Sequence, residues 1–254
     1  MSLPVATFES FDGVSLSYED EGRGRAVLLL HGFAADTNIN WVRSGVLDAL
    51  VDEGYRAIAL DARGHGLSSK PHDPEAYAGD AMTRDARALL DHLDLERAHV
   101  IGYSMGAGTA LALGATEPRV QRVVAVGVGG TTLARRDSAP GGEGSGMADG
   151  LLAEDPETIT DPLARQFRTL ADSVRADREA LAACSRARRD DVQLDYGTLT
   201  VPVLVVAGVD DELAGDPAEL AARIPDATSA TVPGDHFTSL QHPKLQTAIL
   251  AFLS

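Results

Sequence analysis

The chain has 254 residues, 44% hydrophobic and 24% charged, with a single cysteine and a formal net charge of −16 from 22 basic and 38 acidic residues. A chain of this length can bury a sizeable core without metal or disulfide staples, and one cysteine excludes an intramolecular disulfide. The acidic balance opposes a nucleic-acid backbone and no basic stripe offsets it, while no apolar run approaches the roughly 18 residues of a membrane span, so neither nucleic acid nor membrane is expected as a partner.

In chain order, MSLPVATFES lacks the basic and apolar regions of a secretory leader, and a soluble cytoplasmic protein is the expectation. Alternating apolar and polar residues on either side of Asp12-Gly13 predict two antiparallel strands, 5–11 and 14–20, joined as a hairpin. RAVLLLHGF (25–33) is a continuous apolar run, too short for a free-standing helix and suited to a strand buried on both faces. Residues 41–53 put Val42, Val46, Leu47, Leu50 and Val51 on one helical face and stop at Gly54; YRAIALDARGHG (55–66) is a second buried strand that runs into a glycine-rich loop. Residues 80–93 set Met82, Ala86, Leu89, Leu90 and Leu93 at helical spacing. AHVIGYS (98–104) reads as a strand, MGAGTALALGATEP (105–118) as a helix stopped by Pro118, and VQRVVAVGVGG (120–130) as a strand.

Residues 131–198 break the alternation. A polar run, SAPGGEGSGM (138–147), leads into arginine-rich, helix-prone sequence without a strand-like run, which predicts a helical insertion the size of a lid. The alternation resumes with the strand VPVLVVAG (201–208), a helix at 216–223 opened by Asp216-Pro217, the strand SATVPG (229–234) and a closing helix at 243–253. Strands alternating with helices predict an α/β fold, a mostly parallel sheet covered by helices on both faces with the hairpin as an antiparallel edge. The core is then 1–130 and 199–254, with 131–198 inserted.

Gly102-Tyr103-Ser104-Met105-Gly106 stands where a buried strand turns into a helix. A turn that sharp leaves little room beside its central residue, so glycine is favoured on both flanks, and the serine Oγ is lifted out of the sheet. The alternative, a serine capping the helix, does not require two glycines. A nucleophilic serine needs a base and the base an orienting acid, both on the same rim of a parallel sheet. His236 follows one late strand; Asp210 and Asp211 follow another, Asp211 being favoured and Glu212 a distant third. A tetrahedral intermediate needs donors, for which the backbone N–H groups of Met105 and Phe33 are the candidates, with Gly32 permitting close approach and His31 bracing the loop. His31, Gly32, His65, Tyr103, Asp210 and Phe237 are expected to border the pocket. His72, His92, His99 and His242 fit less well, no histidines have metal-ligand spacing such as H-E-x-x-H, and no metal or cofactor is expected.

Five blocks together resemble the α/β-hydrolase fold family: His31-Gly32-Phe33, Asp61-x-Arg63-Gly64-His65-Gly66-x-Ser68, the turn at 102–106, Gly208-x-x-Asp211 and Gly234-Asp235-His236. The resemblance implies an eight-stranded, mostly parallel sheet, a Ser104–His236–Asp211 triad, and a helical cap after the sixth strand, which 131–198 matches. It supports Asp211 over Asp210. Family members with an aspartate nucleophile, haloalkane dehalogenases and epoxide hydrolases, carry an acid where Ser104 stands, so those two activities are not expected. The expected function is hydrolysis of carboxylic esters or related small acyl substrates through an acyl-enzyme. A lactonase, a C–C bond hydrolase, a cofactor-free perhydrolase or an acyltransferase shares that triad, and a ligand-binding protein without turnover is the remote alternative. The insertion carries Arg165, Arg168, Arg175, Arg178, Arg186, Arg188 and Arg189, which offer either a bidentate contact to a substrate carboxylate or, as favoured, an ion-paired surface. Cys184 reads as a small buried residue.

Overall fold

The uninterrupted apolar runs become the middle of one eight-stranded sheet. A computed structural model describes residues 5–137, 144–187 and 194–254, with the side chains of 135–137 and 144–145 left aside. The strands are β1 (Val5–Glu9), β2 (Ser15–Gly22), β3 (Ala26–Leu30), β4 (Arg56–Leu60), β5 (Ala98–Tyr103), β6 (Val120–Val126), β7 (Val203–Gly208) and β8 (Ala227–Val232). They lie in the order β1-β2-β4-β3-β5-β6-β7-β8. The β1–β2 hairpin is antiparallel and pairs antiparallel with β4; every other pairing is parallel.

Successive residues of a strand face opposite sides, so each central strand feeds two cores. Leu28, Leu30, Val100 and Val205 pack with Leu89 and Leu90 of α2 (Ala81–His92) and Leu111 of α3 (Met105–Thr116). Val27, Leu29, Ile101 and Val206 pack on the other face with Trp41, with Leu47 and Leu50 of α1 (Val46–Asp52), and with Ile249 of the C-terminal helix. Each such side chain contributes roughly 1.5–3 kcal/mol relative to exposure, so the rigid part of the molecule is the parallel centre. The carboxyl ends of β3 to β8 form one rim, and the loops carrying His31, His65, Ser104, Asp211 and His236 all leave from it.

Between β6 and β7 come α4 (Gly130–Asp137), α5 (Gly144–Leu152), α6 (Pro162–Ser173) and α7 (Arg178–Arg186), and after β7 come α8 (Pro217–Ala221) and α9 (Pro243–Leu253). The polar run 138–147 is helical from Gly144 onward, and its first six residues lie outside the described ones. The helix read from 41 starts at Val46: Gly45 is left-handed (φ 73°), and Asn38–Val42 form a separate π-helical turn. Strand ends move by a few residues where Gly127 (φ 70°) and Gly234 (φ 110°) turn the chain. The helix read over 216–223 shortens to Pro217–Ala221.

The glycine-rich loop after β4 is anchored by charge. Arg63, fully buried, donates to Asp85 at 2.6 and 2.7 Å and to Asp12 at 2.9 Å. Burial works against the guanidinium charge, but the hydrogen bonds to Asp85 and Asp12 outweigh it and hold the pKa above its ordinary value. Losing one partner of such a buried pair costs about 3–5 kcal/mol, so the loop that carries His65 is held firmly.

Candidate active site

Strand β5 ends at Tyr103, and Ser104 takes φ 52°, ψ −110° before α3 begins at Met105. Few L-residues adopt that conformation, which stores strain of order 1–3 kcal/mol. The flanking glycines make it feasible: a Cβ at Gly102 would fall on the Gly106 carbonyl, and one at Gly106 on the carbonyl of Leu30. Both obstacles are backbone, so no side chain can give way. Ser104 occupies the N-cap position of α3 but makes no side-chain capping bond. Its Oγ lies 3.0 Å from Nε2 of His236 instead.

His236 Nδ1 lies 2.9 and 3.0 Å from the two carboxylate oxygens of Asp211. A carboxylate only accepts, so the imidazole proton sits on Nδ1 and donates to Asp211, which leaves the Nε2 lone pair to accept from the Ser104 hydroxyl. Asp211 Oδ1 also accepts the Ala214 N–H at 2.9 Å, which fixes the carboxylate plane. Both Asp211 and His236 are buried.

The turn after β7 selects between the two aspartates. The Asp211 N–H folds back onto the Gly208 carbonyl at 3.2 Å, and the Asp210 N–H reaches Gly234 O at 3.1 Å. Asp211 is thereby carried inward and buried, while Asp210 is exposed; both, with Glu212 and Asp216, border a surface groove of about 510 Å³. The bonds to the imidazole of His236 come from Asp211, and among the described residues no bond from the Asp210 carboxylate to His236 is seen. Gly208 and Gly234 touch so closely that a Cβ on Gly208 would overlap the Gly234 carbonyl, which brings the acid loop and the histidine loop together.

The loop after β3 approaches from the other side. A Cβ at Gly32 would lie 2.9 Å from the Tyr103 ring and 3.4 Å from Ser104 Cβ. His31, buried, accepts the Ala62 N–H on Nε2 at 3.0 Å, so its Nδ1–H donates to Gly32 O at 2.8 Å; both ring nitrogens hold backbone. The Gly32 N–H donates to the side chain of buried Asn40 at 2.8 Å. Among the described residues no backbone acceptor takes the N–H of Phe33 or of Met105; the latter opens a helix, where the first N–H groups lack an intrahelical partner. Asn40 was not a sequence candidate, because the π-helical turn that carries it has no readable period.

The remaining candidates are aromatic neighbours. Tyr103 is buried on the Trp41 side of the sheet and packs its ring 5.4 Å from that of His236. Burial pushes its phenol well above the usual range, helped by the charges of Asp211 and Asp235, so it stays neutral. His65 is buried against His31 (5.2 Å) and Phe33 (5.7 Å), and its Nδ1–H donates to Arg63 O. Phe237 meets His236 edge-on at 5.6 Å. Phe167 of α6, unremarkable in the sequence, touches both Phe33 (5.5 Å) and Phe237 (5.7 Å).

Four of the inserted arginines are occupied elsewhere. Arg168 donates to Asp172 and to Ala153 O, Arg165 to Ile159 O, Arg178 to Ala153 O and Arg186 to Asp149. Arg175 is exposed, and Arg188 and Arg189 lie outside the described residues. Among the described residues no group of three His, Cys, Asp or Glu could hold a metal ion, and no helix is long and apolar enough to cross a membrane.

A family model described as alpha/beta hydrolase fold matches residues 25–171. A 2-(acetamidomethylene)succinate hydrolase from Mesorhizobium japonicum is 27% identical over 256 residues, 91% of this chain and 88% of that protein. An epoxide hydrolase from Caballeronia sordidicola is 43% identical over 96 residues, which are 38% of this chain and only 28% of the epoxide hydrolase. Among solved structures, a hydrolase from Pseudomonas aeruginosa PA01 superposes with a TM-score of 0.74 at 28% identity, covering 98% of each chain.

Proposed function

Because the chain belongs to the α/β-hydrolase fold family, we propose that it is a serine hydrolase cleaving carboxylic esters or related small acyl compounds through an acyl-enzyme on Ser104. The observation that carries this reading is the unbroken chain from the Ser104 hydroxyl through His236 to Asp211, at 3.0 and 2.9 Å.

Ser104 Oγ attacks the substrate carbonyl as its proton passes to His236 Nε2. Asp211 orients the imidazole and stabilises the imidazolium. The N–H groups of Phe33 and Met105 receive the developing oxyanion, an interaction worth about 2.7–4 kcal/mol per donor. The tetrahedral intermediate collapses to the Ser104 ester, and the proton on Nε2 leaves with the alcohol. Water then attacks the acyl-enzyme, giving a proton to His236 Nε2, which passes it to the departing Ser104 Oγ as the free acid leaves.

The similarity to an epoxide hydrolase does not transfer as activity. A serine that opened an epoxide would form an ether, which water cannot cleave under these conditions, whereas a serine acylated by an ester forms an ester that water can cleave. The nucleophile type therefore favours acyl over alkyl substrates. The test is rapid mixing with an activated ester: the reading expects a stoichiometric burst of leaving group and a mass increase of one acyl group on the Ser104 peptide. Hydrolysis without a burst or adduct at any pH, in wild type and in a His236→Ala variant alike, would refute it.

A further inference from the structure

We propose that Phe167 is the specificity-determining residue of this site and that the natural acyl group is short and uncharged; the proposal rests on the serine-hydrolase reading above. An arc of rings leads away from His236, the partner of Ser104. It runs from His236 to Phe237 (5.6 Å), on to Phe167 (5.7 Å) and then to Phe33 (5.5 Å), the residue whose N–H is proposed above as an oxyanion donor. Phe167 is the one ring in this arc, among the described residues, that comes from the insertion, and it bridges the histidine loop to the loop after β3.

Edge-on rings at these separations are in van der Waals contact, so no slot for a long chain remains between Phe33 and Phe237. The surroundings are apolar: Leu151, Leu181 and Met147 pack with Phe167, and Met105 and Cys184 pack with Phe33. Phe167 is itself held in place. Its neighbour Arg168 is buried, ties α6 to the carbonyl of Ala153 at 2.6 Å and pairs within α6 with Asp172 at 2.9 Å. Those bonds also occupy the Arg168 guanidinium with partners other than the rings. An acyl carboxylate entering here would lose its hydration and, among the described residues, find no free cation beside the rings, which is strongly unfavourable.

The test is a panel of p-nitrophenyl acetate, butyrate and octanoate and the mono-p-nitrophenyl ester of succinate, with wild type, Phe167→Ala, Phe167→Leu and Phe167→Trp. Fluorophosphonate labelling and thermal unfolding of each variant accompany the panel. Wild type is expected to prefer acetate and butyrate over octanoate, and butyrate over the charged succinate ester, each by roughly 10-fold or more in kcat/KM. Phe167→Ala should raise the octanoate-to-acetate ratio by about 10-fold, Phe167→Leu should move it the same way by less, and Phe167→Trp should lower the butyrate-to-acetate ratio. The leucine variant carries the test if the alanine variant does not fold. Ratios untouched by all three substitutions, or a preference for the succinate ester, overturn the proposal while leaving a labelled, ester-cleaving Ser104 as a hydrolase. An unlabelled Ser104 with no ester turnover overturns both readings.

Discussion

Replacing Asp211 by asparagine changes one atom and should disable the site through a tautomer. Oδ1 of Asp211 accepts the Ala214 N–H at 2.9 Å, and both oxygens face His236 Nδ1 at 2.9 and 3.0 Å. In the Asn variant the amide oxygen keeps the Ala214 bond and the NH2 turns toward His236. That group only donates, so Nδ1 must accept and the imidazole proton moves to Nε2. An N–H then points at Ser104 Oγ, and the base cannot take the serine proton. The expected loss is about 10⁴ in kcat with KM little changed, or about 5.5 kcal/mol of barrier at 1.36 kcal/mol per decade. Asp210→Asn is the internal control: Asp210 is exposed and should stay within about twofold, in line with the small effects of surface substitutions. The assay is steady-state hydrolysis of p-nitrophenyl butyrate across pH, with unfolding midpoints to show that both variants are folded. An Asp211→Asn enzyme within tenfold of wild type, or equal losses in the two variants, would refute the reasoning.

The elbow, the loop after β3 and the insertion supply further predictions. Gly106→Ala would drive a Cβ into the carbonyls of Leu30 and His31, whereas Gly108→Ala meets nothing within 4 Å. The first should lower stability by more than about 1–3 kcal/mol and the second raise it by about 0.5–1 kcal/mol, read as denaturant midpoints; equal midpoints would contradict the packing argument. Asn40→Ala removes the acceptor of the Gly32 N–H; it should cost about 1–3 kcal/mol of stability and lower kcat more than it changes KM. His72 lies 3.0 Å from Asp177 and 3.0 Å from Glu179, so it ties the core loop to the start of α7. The hydrogen bond to Asp177 raises its pKa above 6.5, net of a small desolvation, and the charges of Asp177 and Glu179 add to this. Stability from this contact is therefore fully present below 6.5 and lost as pH rises through the higher folded value. Hydrogen exchange in α7 should be slower in wild type than in His72→Gln at acidic pH and should converge at alkaline pH; a gap that widens with pH would reverse the sign.

The parts of this site that the chain announces are those whose chemistry constrains neighbours in sequence. Gly102 and Gly106 flank Ser104 because backbone meets backbone there, and that requirement is visible as a motif. His236 and Asp211 are visible as a base and an acid placed just after late strands. The choice between Asp210 and Asp211 is not visible from strand boundaries alone, since it depends on one bond, Asp211 N–H to Gly208 O, that turns one carboxylate in and the other out. Asn40 was hidden because a π-helical turn and a left-handed Gly45 replace the expected helix start. Phe167 was hidden for a different reason: at helical spacing it reads as one more buried residue, and only packing brings it against rings from two distant loops. The inserted arginines were equally opaque, because a guanidinium that binds carbonyls of the insertion's own loops looks in sequence like one that awaits a carboxylate.

The most direct measurement of the central claim is labelling by a fluorophosphonate, which reacts with a serine only when a base activates it, followed by peptide mapping. The account predicts one phosphonyl adduct, on the peptide carrying Ser104, absent in Ser104→Ala and strongly slowed in His236→Ala. A native, folded protein that takes up no label, or that is labelled equally after Ser104→Ala, would contradict it.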